Sequence, residues 1–218
     1  MEDWHETLLA ALSLRPEHLS CYGLIPEDGT PLKQDLDAGR LNLPPVEEER
    51  AMYDLAIALL GQHGFRQYEI SNFALPGYAC RHNLGYWRQT PYLGLGASAS
   101  SMLPLADGDA AYQRVTNPSG LNEYIHMVNA AAWSQREVIP ISRDEARFET
   151  MMLGLRTTDG VSEDAFAAMH GRTLSSCYGE RLTALEKQGL VCHVQGRWML
   201  TRRGMDVQNA VLVELMDD

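Results

Sequence analysis

The sequence predicts an α/β chain in two parts: an incomplete set of parallel strands and helices, then a mainly helical, winged-helix-like module. Three observations carry this reading. Strand, helix and strand patterns follow one another between Leu19 and Ile70, the order of a βαβ unit. Only two parallel strands can be found there, whereas a closed barrel or an open α/β sheet needs several more. From Ser142 onward the pattern turns helical, interrupted by two short strand-like runs around Gln195 and Gly196.

Taken in order, Glu2 to Leu14 reads as a helix because Trp4, Leu8, Ala11 and Leu12 fall on one face, and Pro16 stops it. Leu19 to Leu24 is a short apolar run, read as a buried strand, with Pro26, Asp28, Gly29 and Pro31 supplying the turn chemistry after it. Pro44 and Pro45 precede a second helix, Glu47 to Gln62, whose first turn carries glutamates where the helix dipole favours them; Met52, Leu55 and Leu59 share its apolar face. Gly61 and Gly64 end it, and Phe65 to Ile70 is the second strand. Asp107 and Gly108 are a favoured hairpin pair between Ser100 to Leu103 and Tyr112 to Val115. Leu121 to Ala132 is helical, and Pro140 marks a boundary.

Beyond it, Ser142 and Glu145 form an S-x-x-E capping box that opens a helix with Phe148, Met151, Met152 and Leu155 inward. Ser162 caps a short helix through Met169, and Thr173 a longer one with Tyr178, Leu182 and Leu185 in register, stopped by Gly189. Leu190 to Val194 and Trp198 to Leu200 are two short strands, and Thr201 caps a last helix using Met205, Leu212 and Leu215. The expected division is 1–116 as the barrel-type part, 117–141 as a connecting helix and linker, and 142–218 as the C-terminal module.

Composition narrows the function classes. The 218 residues are 45% apolar, ordinary for a globular protein, and 18 Lys and Arg against 29 Asp and Glu leave a net charge of −11. That balance disfavours phosphate backbones and anionic lipid. The densest basic spot, Arg197, Arg202 and Arg203, has Asp206 close behind. From Ser142 to the end nine basic face twelve acidic residues, a net of −3, so a packing or lid role outranks DNA binding for the winged-helix-like module. No apolar run approaches the roughly 20 residues that span a bilayer, and Glu2, Asp3 and Glu6 stand where a signal peptide would be basic, which predicts a cytoplasmic protein. The four cysteines, Cys21, Cys80, Cys177 and Cys192, are too scattered for a disulfide framework and read as reduced thiols.

The densest mixture of polar and aromatic residues runs from Tyr68 to Gly96. His82 falls in an expected loop, where an imidazole can ligate a metal or an iron porphyrin, and Tyr86 and Trp87 could pack against a flat macrocycle. Residue chemistry alone favours the plainer alternative, in which His82 and Asn83 bond loop backbone and the aromatics fill core. Cys80 with His82, and Cys192 with His193, lack the second pair that a structural zinc needs. Gly94, Gly96 and the small residues after them lack a P-loop lysine and read as close backbone packing at a barrel rim. Asp3, Glu6, Glu27 and Asp28 have no partnered base and read as solvated surface. No Ser, His and Asp triad is present in a defensible pattern.

These same residues resemble a known family. The run Tyr68 to Ala74 with Pro76, Gly77, Cys80, His82, Asn83, Leu84, Tyr86, Trp87, Tyr92, Gly94 and Gly96 looks like the C-terminal half of the oxygen-independent coproporphyrinogen III oxidase-like radical S-adenosylmethionine proteins, nearest the heme chaperone branch, HemW. The likeness continues through Trp4, Gly29, Thr30, Pro31, Leu155, Arg156, Gly160, Gly189, Leu190, Leu200, Thr201 and Gly204. It implies a barrel of about six strands followed by the winged-helix-like domain, and in the whole protein a 4Fe-4S cluster and S-adenosylmethionine. This sequence has neither the C-x-x-x-C-x-x-C loop nor the glycine-rich loop that hold them, so it looks like a fragment or truncated product containing the last barrel strands and the C-terminal domain.

The resemblance further implies heme binding at His82, Asn83, Tyr86 and Trp87, with His82 as axial metal ligand and no catalytic residue in this chain. Leu24, Ile25, Tyr68 and Ile70 would line the cofactor cavity. One departure is Ser100, where the family commonly has a histidine, which puts a proton-transfer role there in doubt. The expected function is delivery of heme to apoproteins; the alternative is oxidative decarboxylation of coproporphyrinogen III, and a winged-helix DNA-binding protein is the third reading. The implied partners are heme or a porphyrin, the N-terminal radical S-adenosylmethionine half, heme-accepting apoproteins and, through an open sheet edge, a second copy of the chain. Without cluster-ligating cysteines the chain should be inactive alone as an oxidoreductase. Supplied with iron, sulfide and a reductant it is expected to cleave no S-adenosylmethionine; a stable 4Fe-4S spectrum with turnover would overturn this.

Overall fold

The computed structural model describes residues 1–105 and 110–216, which form two compact units, Met1–Cys80 and Arg81–Asp218. In the first unit, α1 (Glu2–Ser13) is followed by β1 (His18–Ser20), α2 (Pro31–Asp37), α3 (Val46–Gln62), β2 (Arg66–Glu69) and β3 (Asn72–Ala74). Leu8 of α1 and Ala56 and Leu59 of α3 are buried together, with Trp4 and Leu12 packed against them, so the predicted apolar faces meet. The indole N–H of Trp4 donates to the Met52 carbonyl at 2.9 Å and ties the two helices.

The sheet of this unit departs from the expected parallel pair. Its order is β1-β3-β2, and both pairings are antiparallel. The strand–helix–strand order is therefore real, and β1 and β2 do run the same way, but β3 hydrogen-bonds between them. The reason is local: Ile70 and Ser71 make a tight turn, so the stretch read as one strand and its exit folds back as a hairpin. Its bend is held by Glu69, whose buried carboxylate accepts from the Ser71 N–H at 2.8 Å and from the Asn72 side-chain amide. The run expected as a strand through Leu24 leaves the sheet after Ser20, and Tyr22, Leu24 and Ile25 are exposed. Thr30 instead caps the short helix α2, with Pro31 at its first position, a start signal that the loop reading passed over.

The second unit begins with α4 (Arg81–Trp87), where a loop was expected. Then β4 (Ser100–Pro104), β5 (Ala110–Thr116) and β6 (Glu137–Ser142) form an antiparallel sheet in sequence order, with α5 (Leu121–Asn129) and a 3-10 turn (Trp133–Gln135) between the last two strands. The expected hairpin is present, while its Asp107-Gly108 turn lies outside the described residues. Pro140 is not a break: it pairs with Gln113 inside β6. Because β6 is the edge strand of this sheet, a residue lacking an N–H is tolerated there.

The remaining elements are α6 (Arg143–Gly154), β7 (Val161–Ser162), α7 (Glu163–His170), α8 (Leu174–Lys187), β8 (Val191–Val194), β9 (Arg197–Leu200), α9 (Arg202–Asp206) and α10 (Gln208–Leu215). The caps fall where the sequence puts them: Ser142 and Glu145 complete the capping box, and Ser162, Thr173 and Thr201 accept from the third residue of their helices. Met151, Leu155, Phe166, Leu182, Leu185, Val211 and Leu215 make one core, closed by the β7-β9-β8 sheet. The expected last helix is two helices, parted at Val207.

Among the described residues no closed barrel forms and no helix is long and apolar enough to cross a membrane. Gly204 of α9 is buried, and a Cβ built there would lie 1.8 Å from the Leu190 carbonyl oxygen, so only glycine lets this helix seat against the turn just before Val191. Gly204→Ala should cost about 1–3 kcal/mol by overpacking. Gly179→Ala in α8, where the nearest atom is 3.5 Å away, should be neutral or stabilising by up to about 1 kcal/mol. Urea midpoints of the two variants would check both signs.

Candidate functional site

Helical spacing gives α4 two side-chain rows. His82 and Tyr86 are four residues apart on one face, and Asn83 and Trp87 on the next. His82 is exposed, and its ring meets Tyr86 edge-on with centroids 4.7 Å apart; Tyr86 in turn meets Tyr92 edge-on at 4.7 Å. Tyr92 is anchored by a reciprocal backbone pair with Met102 of β4 at 3.1 and 3.0 Å. The ladder of three rings therefore ends on a strand of the sheet.

Trp87 is half-buried with the Arg156 guanidinium over its face at 4.7 Å, a cation–π contact of about 0.5–2 kcal/mol. Its indole N–H is fully buried and has no hydrogen-bond partner. Asn83 is half-buried beside it.

A hydrogen-bonded chain runs behind α4 and accounts for its position. Gln89 is buried, with φ 52° although it is not glycine. Thr150 donates to its carbonyl oxygen, and its amide donates to the Tyr112 hydroxyl at 3.4 Å. Tyr112 donates to Glu149, which also accepts from Arg114 at 3.0 and 3.1 Å. At the other end the Thr150 hydroxyl lies 2.8 Å from His170 Nε2. With the proton on Nε2 the donors can run in one direction, from His170 through Thr150 to Gln89, and from Gln89 through Tyr112 to Glu149, with the Ala146 carbonyl, 3.0 Å from the Thr150 hydroxyl, as its second acceptor. Burial, then the hydrogen bond that Tyr112 donates to Glu149 and the charge of that carboxylate, hold the Tyr112 phenol well above its ordinary pKa, so it stays a donor. Burial, reinforced by the Arg147 charge, pushes the His170 imidazole below its usual value.

The other predicted residues lie in the first unit. Leu24 and Ile25 are exposed on the segment after β1. The Tyr68 hydroxyl lies 2.8 Å from His18 Nε2 and accepts from the Cys80 N–H at 3.4 Å. Ile70 contributes its carbonyl, which accepts from Tyr53 and Gln67. The glycine loop is packed rather than open: Gly94 N–H donates to Ser101, Gly96 N–H to the Tyr124 hydroxyl, and the Asn117 amide donates to both glycine carbonyls. A Cβ on Gly94 would sit 2.2 Å from the Ser100 carbonyl oxygen, which agrees with close packing and leaves these amides unavailable to a phosphate. Ser100 itself bonds Thr116 at 2.8 Å. His193 stacks on Trp198 and lies 3.4 Å from Glu163. The four cysteines are free, and among the described residues no three His, Cys, Asp or Glu side chains are gathered to hold a metal ion.

Sequence reasoning missed Gln89, Thr150, Tyr112, Glu149 and Arg114. None has a spacing signal, because they meet only across elements.

Residues 141–207 match the HemN C-terminal domain family. The chain is 37% identical over 201 residues to the heme chaperone HemW of Bacillus subtilis, covering 92% of this chain and 51% of that protein. It is 40% identical over 164 residues to HemW of Synechocystis, covering 73% and 38%. Among solved structures it is similar to the Escherichia coli coproporphyrinogen III oxidase HemN, a radical SAM enzyme, with a TM-score of 0.66 and 20% identity over 98% of this chain and 51% of that one. The chain thus spans about half the length, or less, of these relatives.

His170, with its pKa depressed in the folded state, contributes stability above about pH 6.5 that is lost as pH falls, because the unfolded chain takes up the proton first. Between pH 7.5 and 5.5 the Tm of the wild type should fall more than that of His170→Gln, which keeps an N–H for Thr150. Parallel curves would remove His170 as the source.

Proposed function

We infer, from a chain that belongs to the HemN/HemW-like proteins and matches their C-terminal region, that its role is to present heme in a heme chaperone. The observation that carries this is His82. Its imidazole is exposed at the start of α4, met edge-on by Tyr86, which Tyr92 backs in turn, and, unlike His18, His63 and His170, it has no hydrogen bond or ion pair among the described residues. A neutral imidazole held in place with an open nitrogen is what an axial iron ligand requires.

In this reading His82 ligates the heme iron and Tyr86 borders the macrocycle. Asn83 and the buried N–H of Trp87 are the polar groups on the adjoining row, and Arg156 fixes the Trp87 ring. Leu24, Ile25, Tyr68 and Ile70 of the first unit are proposed as cofactor-binding residues. Full-length members of the family imply a 4Fe-4S cluster and S-adenosylmethionine; among the described residues no side chains gather as cluster ligands, and no step through those groups is assigned to this chain. Apoproteins as recipients of the heme, the radical SAM half as partner, self-association and a cytoplasmic location belong to the same proposal. The oxidase alternative has support from the HemN likeness, which at 20% identity speaks for the fold.

Titrating hemin into the chain should give a saturable Soret shift, with affinity at least about ten-fold weaker in His82→Ala and unchanged in His5→Ala. An identical titration for His82→Ala would remove it as the ligand.

A further inference from the structure

Beyond α4, the second unit holds a cavity of about 550 Å3 between the β4-β5 hairpin, the start of α6 and the end of α7. Its size is that of a small-molecule site. Neither His82, Asn83, Tyr86 nor Trp87 lines it, so it is separate from the heme reading. Its walls are of two kinds: Met102, Met169, Pro91 and Pro104 give it an apolar side, while Arg143, Arg147 and His170 bring cationic or donor groups. No described lining residue is acidic, in a chain whose net charge is −11.

Arg147 is the informative residue. Its side chain is only 12% exposed, and its one ion-pair partner among the described residues is Asp144, whose side chain is 77% exposed. A guanidinium has five N–H donors, and among the described residues no other ion pair or hydrogen bond engages those of Arg147 or any of Arg143. None of the Arg147 nitrogens is a fully buried orphan, so its free edge opens on accessible space. A largely buried guanidinium with unspent parallel donors, beside an apolar wall, suits a planar oxyanion attached to an apolar body. The Tyr112 hydroxyl and the Gln89 amide, whose residues also line the cavity, are already committed to Glu149 and Thr150, so they shape the cavity rather than compete for the charge.

We propose that this cavity binds a small amphipathic carboxylate, with the carboxylate on Arg147 and Arg143 and the apolar body against Met102 and Met169. Octanoate is a direct probe, with octanamide lacking the charge and acetate lacking the body. In 1H–15N spectra of the whole chain, octanoate should cause saturable shifts at the Ala110 and Ala111 amides. Octanamide and acetate should bind at least ten-fold more weakly. Arg147→Gln should lose at least ten-fold in octanoate affinity. The exposed Arg143→Gln, which leaves the core untouched, should lose several-fold and keeps the test valid if Arg147→Gln does not fold. Equal binding of octanamide, or unchanged affinity in Arg143→Gln and any folded Arg147→Gln, would overturn the proposal. So would octanoate binding that appears only in Asp107→Asn/Asp109→Asn, since the arginines would then belong to the chain's own aspartates.

Discussion

Gln89 leaves α4 in left-handed backbone geometry and offers the two ends of its buried amide to two different elements, the carbonyl to Thr150 of α6 and the NH2 to Tyr112 of β5. That backbone conformation costs a side-chain-bearing residue about 1–3 kcal/mol, and two buried hydrogen bonds at about 0.5–1.5 kcal/mol each are of the size that offsets it. The consequence reaches α4. A helix of seven residues has too few internal hydrogen bonds to stand alone. It is held at its C-terminal end by Gln89 and by Trp87 under Arg156, and along its length by Tyr86 against Tyr92. The direction in which His82 faces is therefore decided by residues as distant in sequence as Thr150 and Arg156.

The same α6 that receives Gln89 also begins the C-terminal core, so one helix serves both the site and the module behind it. Its first turn is fixed by the capping box, its inner face by Met151 and Leu155, and its outer residues Glu149 and Thr150 carry the polar chain. Two of the basic residues in the wing region of the C-terminal module are spent on structure. Arg197 donates to the carbonyls of Asp159 and Gly160, and Arg203 to that of Gln188. These guanidiniums cap backbone, which fits the acidic balance of the module and leaves little of the basic surface that DNA would need.

Local signals were read well where they act within one turn. The side-chain oxygens of Ser142, Ser162, Thr173 and Thr201 satisfy N–H groups three residues away, so their role is visible in the sequence, as are the apolar rows of α1, α3, α6 and α8. Errors came where a neighbour in space overrides the local pattern. Pro140 reads as a break, yet edge position in a sheet excuses its missing N–H. Phe65 to Ile70 reads as a strand with Ser71 to Ala74 as its exit, yet the buried Glu69 carboxylate turns that exit back as a second strand. Arg81 to Trp87 reads as a loop because Gly85 and the polar residues lower its helical signal, and tertiary contacts supply what propensity does not.

The sequence by itself determined the division of labour: an α/β beginning, a capped helical end, an acidic surface and the presence of His82, Asn83, Tyr86 and Trp87 in one short run. These are properties of residue type and of spacing within a turn, which the chain carries before it folds. Only the tertiary structure decided that His82 is exposed on a short helix with a fixed ring, that Trp87 is pinned by Arg156, and that Arg147 opens on a cavity with donors to spare. Each of those depends on how elements distant in sequence are placed, as where Arg156 meets Trp87 at 4.7 Å, which no periodicity in the sequence encodes.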